Sequence, residues 1–205
     1  MPDTLLKTPL YESHVALGAK IAPFGGWLMP IQYEGIIAEH FHTRSSVSVF
    51  DICHMGEFFI KGDAVSSGLD RIVTQDIASM PIGACRYGFM LNEAAGILDD
   101  LIIYRLGQGS WMVVVNAATI SSDEWHFKKQ LSTGVHFENA SDRLGKLDVQ
   151  GPDSLGVIKD IFGAKVEKLR YYSCGDFTFE GESCIISRTG YTGELGYELY
   201  VSVDK

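Results

Sequence analysis

Three apolar segments follow one another with almost nothing between them: "RYGFMLN" at Arg86–Asn92, "ILDDLIIYRL" at Ile97–Leu106 and "WMVVVN" at Trp111–Asn116. Each has the length of a strand. The links "EAAG" and "GQGS" are too short for a helical crossover, and small and polar as hairpin connections should be. An antiparallel meander is therefore expected, and the rest of the chain must fold around it.

Upstream, Val47–Ile52 and Glu57–Lys61 read as short strands interrupted by "HMG". A helix is expected near Ala64–Val73, with Leu69 and Ile72 on one face. Downstream, "SSDE" offers a capping box from Ser121 to Glu124 before a helix running to about Leu131. The middle of the chain thus reads β-α-β-β-β-α, a compact α+β unit. The start, to Pro30, reads as irregular, with "PFGGW" as a tight loop. From Tyr33 to Ser45, Ile36, Ile37, Phe41 and Arg44 suggest a helix with one apolar side. After "SDRLG" the pattern restarts. Leu147–Gln150 is a strand, and Gly151-Pro152 opens a helix along which Leu155, Ile158 and Ile161 repeat. Strands near Tyr172–Phe179 and Cys184–Arg188 flank "EGES", and "RTGYTGELGYELYVSV" runs from a Gly-rich loop into a strand. The chain stops at Lys205 directly after apolar residues, which reads as a boundary or a truncation.

Composition narrows the function classes. With 205 residues, 46% hydrophobic and 21% charged, the chain can bury a core. Its formal charge of −9, with no cluster of Lys and Arg, argues against a nucleic-acid surface. The four cysteines, Cys53, Cys85, Cys174 and Cys184, form no C-x-x-C pair and read as reduced, intracellular thiols. His40 and His42 read as a solvated helix edge, so no metal is expected. No apolar run approaches the ~20 residues that span a bilayer. The start "MPDTLLKTPLYESH" has neither an apolar signal core nor an Arg-rich presequence. A cytoplasmic protein is expected.

The carboxylates Asp99 and Asp100 stand at the mouth of an apolar strand. Neighbours on a strand point to opposite faces, so the two cannot form the close acid pair of a glycosidase. If "GQGS" closes the turn symmetrically, Leu106 lies opposite Trp111, Leu101 opposite Asn116 and Asp100 opposite Ala117. Asp100 and Asn116 would share the open end of one hairpin, with Tyr87 and Phe89 on the next strand. Such a set suits a flat polar heterocycle. An aspartate in water titrates near ~3.9 and is a weak base at neutral pH. Burial beside aromatic rings would make proton transfer easier, whereas an ionised carboxylate would stabilise a developing cation. The sequence leaves both open, alongside the plainer alternative of a solvated strand-entry turn. "RTGYTGELGYE" is neither a P-loop nor G-x-G-x-x-G.

Taken together the motifs go further. "TPLYESHVALGAKIAPFGGWLMPIQY", "FDICHMGEF", "GILDDLIIY", "VVVNAA", "VQGP" and "SRTGYTGELGYEL" resemble, in order and spacing, the aminomethyltransferase family, the T protein of the glycine cleavage system. The resemblance covers essentially the whole chain. It implies transfer of the one-carbon unit of an aminomethyl-lipoyl H protein to tetrahydrofolate, with release of ammonia. It places the catalytic carboxylate on Asp100 and leaves Asp99 a bystander. It assigns folate contacts to Met55, Tyr87, Asn116, Tyr191 and Glu198, the last accepting donors from the amino-pyrimidine edge of the pterin. Cys53 and Gly88 stand where the family commonly has serine, and Ala95 where it has glycine. The family's chain is longer, adding an arginine-bearing segment that completes the folate site and a C-terminal β-barrel, so a fragment is expected.

The fold implied is α+β, antiparallel sheets with flanking helices in two interleaved lobes. Residues 1–52 and 145–205 would form a discontinuous first domain, and 53–144 an inserted, ferredoxin-like second one. Two alternatives remain: a tetrahydrofolate-dependent demethylase of another methylated amine or sulfur compound, a relative that shares the pocket, and a non-catalytic folate-binding protein. The latter carries a "K-G-C-Y-x-G-Q-E" type motif, and "RTGYTGELGYE" has glycine in place of its cysteine.

Overall fold

The computed structural model describes residues 5–203; the ends of the expected first domain, 1–4 and 204–205, lie outside the described residues. In chain order the elements are β1 (Leu6–Lys7), α1 (Tyr11–Ala16), β2 (Lys20–Phe24), β3 (Trp27–Gln32), α2 (Ile36–Ser45), β4 (Ser48–Asp51) and β5 (Gly56–Lys61). A 3-10 turn at Leu69–Arg71 leads to β6 (Cys85–Leu91), β7 (Ile97–Gly107), β8 (Ser110–Val115), α3 (Ile120–Gln130) and β9 (His136–Asn139). Then come β10 (Leu144–Gln150), α4 (Ser154–Phe162), a 3-10 turn at Ala164–Lys168, β11 (Cys174–Phe179), β12 (Glu182–Ser187) and β13 (Gly196–Ser202). The chain divides into two compact units. Unit 1 takes the described parts of Met1–His54, Gly145–Tyr171 and Asp176–Lys205; unit 2 takes Met55–Leu144 and Tyr172–Gly175.

Unit 2 is built on one sheet in the order β6-β7-β8-β5-β9. Alternation along the strands divides its side chains between two faces. On one face Phe58, Ile60, Leu101, Ile103, Trp111, Val113 and Val115 join Phe127 of α3 in the core. The Phe58 and Phe127 rings meet edge to face at 5.7 Å. Burying each such side chain contributes roughly 1.5–3 kcal/mol. On the other face Met112 and Val114 are buried as well, which is why β8 reads as an unbroken apolar run.

Three expectations for this unit are corrected. The helix at Ala64–Val73 is absent, although Leu69 and Ile72 are both buried. Gly68 at φ +79° breaks it, and the Asp63 side chain accepts the backbone N–H groups of Val65 and Ser66 in a local turn. The Ser121–Glu124 capping box does not form: α3 starts earlier, with Thr119 as its N-cap, while Glu124 binds Lys128 and Asn139. The β7–β8 hairpin is shifted by one residue. Arg105 faces Trp111 and Gly107 faces Ser110, with an irregularity between. The shift carries Asp100, rather than Leu101, opposite Asn116 when the Ile102↔Val114 register is continued.

Unit 1 holds two sheets, β1-β3-β2 and β11-β12-β13-β10-β4. The stretch before Pro30, expected to be irregular, contains α1 and a β2–β3 hairpin whose turn is Gly25-Gly26, both at positive φ. Glycine supplies that turn, so the Gly and Pro content marked a hairpin and not a coil. In α4, Ile158 is fully buried and Leu155 and Phe162 pack beside it in a core with Val149, Ile186, Tyr197 and Leu199. Ile161, expected on that face, is exposed; at 3.6 residues per turn Phe162 continues the stripe better. The apolar residues of α2, Ile36, Ile37 and Phe41, are also exposed. That helix is tied down by Thr43, whose hydroxyl meets Ser48 Oγ at 2.7 Å. The described strands form open sheets, none closed into a barrel. All four cysteines are buried thiols. Among the described residues no helix is long and apolar enough to cross a membrane.

Candidate active site

At the open end of the meander in unit 2, Asp99 and Asp100 diverge as strand geometry requires. Asp99 lies on the core face with Leu101 and Ile103 and is buried. Asp100 lies on the other face, half-buried, directly opposite Phe89 on β6. Tyr87 follows Phe89 on the same face, paired with Ile102, and is half-exposed. The Tyr87 and Phe89 rings sit edge to face at 5.6 Å. Met55 immediately precedes β5, whose first residue pairs with Val115 next to Asn116. Met55, Tyr87, Asp100 and Asn116 therefore belong to one unit and one end of its sheet.

Asn116 ties the two carboxylates together. Its Nδ2 donates to Asp99 Oδ1 at 2.8 Å and to Asp100 Oδ1 at 2.9 Å. Its backbone N–H donates to Asp99 Oδ2 at 3.2 Å, and Thr119 Oγ1 donates to the same oxygen at 2.8 Å. Two carboxylates can be served only by the N–H donors of the amide. The amide oxygen of Asn116 is thus turned away from them, as an acceptor. Burial pushes the Asp99 carboxyl up, but hydrogen bonds from Asn116, Asp123 and Thr119 outweigh it and hold the group below the usual carboxylate range.

The close acid pair in this region is Asp99 with Asp123. Asp123 stands in the first turn of α3 and is 2% exposed. Burial first, then its hydrogen bond to Asp99 and the charge of Asp99, push it up to about 7. Sequence reasoning missed Asp123 because it lay inside the "SSDE" signature and looked like part of a helix cap. Only the approach of α3 to β7 shows otherwise.

Tyr191 and Glu198 belong to unit 1. Tyr191 is fully exposed in the loop before β13. Glu198 on β13 is 4% exposed. Its Oε1 lies 2.7 Å from Lys146 Nζ, and its Oε2 accepts from the Thr189 hydroxyl. Lys146 and Asp148 on β10 are buried with it. Burial first, then the charge of Glu198, raise the Asp148 carboxyl well above its ordinary range. Neither residue stood out in the sequence, where "KLD" reads as an ordinary strand start. The Gly-rich loop has a packing reason: a Cβ on Gly190 or Gly196 would lie 2.2 or 2.1 Å from Gln150 Oε1. The Gln150 amide occupies that space, accepting from Thr192 Oγ1 at 2.8 Å and donating to Thr189 O at 3.2 Å.

An open groove of about 900 Å³ in unit 1 is lined by Tyr33, Arg44, Phe50, Asp51 and Tyr191, among others. Beneath it His14 bridges Tyr33 and Asp51, at 2.7 and 2.8 Å. His42, also on its wall, is committed to Val47 O at 3.0 Å. Among the described residues no group of three His, Cys, Asp or Glu could hold a metal ion.

Comparison with known proteins places this geometry in a family. The model of the GCVT N-terminal domain matches residues 10–205. The aminomethyltransferase of Pseudothermotoga lettingae is 43% identical over 97% of this chain and 55% of its own length. That of Halothermothrix orenii is 41% identical over 97% and 56%. The crystal structure of glycine cleavage system aminomethyltransferase T from Bartonella henselae superposes with a TM-score of 0.89 and 35% identity, over 98% of this chain and 55% of that one. A heterotetrameric sarcosine oxidase from Corynebacterium shares the fold alone, with a TM-score of 0.58 and 11% identity. The chain spans a little over half the length of the curated relatives it matches. It belongs to the GCVT N-terminal domain family, and the aminomethyltransferases named above are similar to it along nearly all of its length.

Proposed function

We propose that this chain is the tetrahydrofolate-binding part of the aminomethyltransferase of the glycine cleavage system. On this reading the whole protein works in the cytoplasm with the lipoylated H protein as partner. It moves the one-carbon unit of the aminomethyl-lipoyl arm to tetrahydrofolate, giving methylenetetrahydrofolate, ammonia and the dihydrolipoyl arm. The observation that carries it is the Asp99–Asn116–Asp100 network, found in a chain of this family. We take residues 1–52 with 145–205 as one domain and 53–144 as an inserted one; the two compact units support that division.

The residues present fit a flat heterocycle that carries N–H donors. Asp100 offers a half-buried carboxylate, Asn116 an outward amide oxygen, and Tyr87 and Phe89 a pair of rings. Tetrahydrofolate, when bound, supplies the amine that attacks the carbon. Asp100 accepts the N–H of that amine, orients it and takes its proton as the new C–N bond forms. Asp99 cannot do this, because its oxygens face the core and are taken up by Asn116 and Thr119. Asn116 holds Asp100 Oδ1 in place and presents its own oxygen to a ligand donor. Met55 and Tyr87 supply apolar contact. In unit 1, Glu198 is a buried carboxylate held between Lys146 and Thr189. A carboxylate of that kind suits the paired donors of an amino-pyrimidine edge, and Tyr191 stands exposed in the loop before β13.

A single-turnover assay tests the reading. The chain is mixed in excess with aminomethyl-loaded H protein and tetrahydrofolate, and released ammonia is followed. Asp100→Asn is expected to slow release by about 10²-fold or more, the usual scale for a lost proton acceptor. An Asp100→Asn chain as fast as the parent would sink the assignment.

A further inference from the structure

We propose that Asp99 and Asp123 share one proton as a buried carboxyl pair, and that this pair positions Asn116 and, through it, Asp100. The inference rests on the reading of Asp100 as the working carboxylate. The geometry points to it in three ways. Asp123 is nearly fully buried, and its Oδ2 has no hydrogen-bond partner among the described residues. A lone ionised carboxylate is costly in such a place. Asp99, hydrogen-bonded to Asp123, accepts in addition from three donors, the Asn116 amide, the Asn116 backbone and Thr119. It is therefore the member of the pair built to stay charged. Finally, the same Asn116 Nδ2 that reaches Asp99 also reaches Asp100, so the orientation of one amide is common to both.

The proton belongs on Asp123, donated toward Asp99. Of the groups facing Asp123, Asp99 on β7 is the charged one and the Thr119 hydroxyl the neutral one. As pH rises through about 7 the proton leaves Asp123. Two anions then face each other in a buried setting and repel. Asp99 shifts within its cradle, and Asn116 loses its fixed orientation. Asp123 is thus a positioning residue, acting on substrate only through its neighbours.

The test is NMR of the Asn116 side-chain N–H2 signals in the intact chain, from pH 5.5 to 9, with tetrahydrofolate affinity measured at pH 6 and 8.5. The parent chain should show the Asn116 signals shifting with a midpoint near 7, and affinity falling about tenfold across that step, the worth of one well-placed hydrogen bond. Asp123→Asn supplies an N–H donor that cannot be lost, so its signals and its affinity should stay flat over the range. Asp123→Leu, lacking any donor, should give displaced Asn116 signals at every pH; should it fail to fold, Asp123→Asn decides alone. Signals that stay flat in the parent, or titrate alike in Asp123→Asn, would overturn the proposal. A titrating Asn116 in a chain that never binds tetrahydrofolate would keep the pair and remove the folate reading.

Discussion

Glu198→Ala is expected to destabilise unit 1 by about 3 kcal/mol, whatever it does to ligand binding. The reason lies in Lys146. Its ammonium is 2.7 Å from Glu198 Oε1, and the two side chains are 3% and 6% exposed. Removing the carboxylate strands a buried cation, and breaking such a pair costs more than the pair contributes. Thr189 loses the acceptor of its hydroxyl as well. Asp148 limits the damage. The charge of Glu198 helps to hold its carboxyl well above the ordinary range, so losing Glu198 lowers it again and favours an anion facing Lys146. This is why the effect is set at the lower end of the range for broken buried pairs. Denaturant unfolding checks it: Lys146→Met placed on top of Glu198→Ala should recover most of the loss, since no charge is then stranded. Equal losses in the single and double variants would show that the pair is not what holds Glu198. For ligand binding, Glu198→Gln is the better probe, because it keeps the shape and an acceptor for Thr189.

Gly151→Ala should be at least as damaging, with a loss of about 3 kcal/mol or more and a fall in Tm of roughly 6–12 °C. Gly151 has φ +129°, a conformation that L side chains rarely adopt. A Cβ there would sit 2.2 Å from Ser46 O and 2.8 Å from Thr43 O, both backbone atoms at the end of α2. Neither side can yield easily. Gly151 N donates to Leu195 O at 2.7 Å, and Asp153 N donates to Ser46 O at 3.2 Å, so the approach is tied from both sides. Gly156 is the control. It lies in α4 with nothing within 4 Å of its would-be Cβ. Gly156→Ala should stabilise the chain by roughly 0.5–1 kcal/mol. Thermal melts of the two variants should therefore move in opposite directions, and a Gly151→Ala melt matching the parent would contradict the packing described.

What could be read from the residues was local. The meander strands came out within a residue or so of their ends because alternation and short polar links specify them directly. The split of Asp99 from Asp100 followed from the same alternation, which needs no partner strand. Register did not: the irregularity between Arg105 and Gly107 is a property of the turn's backbone, and "GQGS" is equally compatible with a symmetric closure. The helix at Ala64–Val73 failed for a related reason. Leu69 and Ile72 have helical spacing and are buried, yet Gly68 and Asp63 turn the chain first. The site partners were out of reach because they depend on which elements meet. Asp123 acquires meaning only when α3 comes down on β7, and Lys146 only when β10 lies beside β13. Nothing in "SSDEW" or "GKLDVQGP" marks either residue as special. Glu198 stood out through its motif, but its burial and its ion pair did not.

The central proposal is that this chain binds tetrahydrofolate and that Asp100, in one unit, and Glu198, in the other, are each needed for that binding. An anaerobic calorimetric titration of tetrahydrofolate into the chain, with Asp100→Asn and Glu198→Gln alongside, tests it most directly. Saturable binding by the parent, weakened about tenfold or more in each variant while both remain folded by circular dichroism, is the predicted result. No heat from a folded parent chain, or the same affinity in all three proteins, would contradict it.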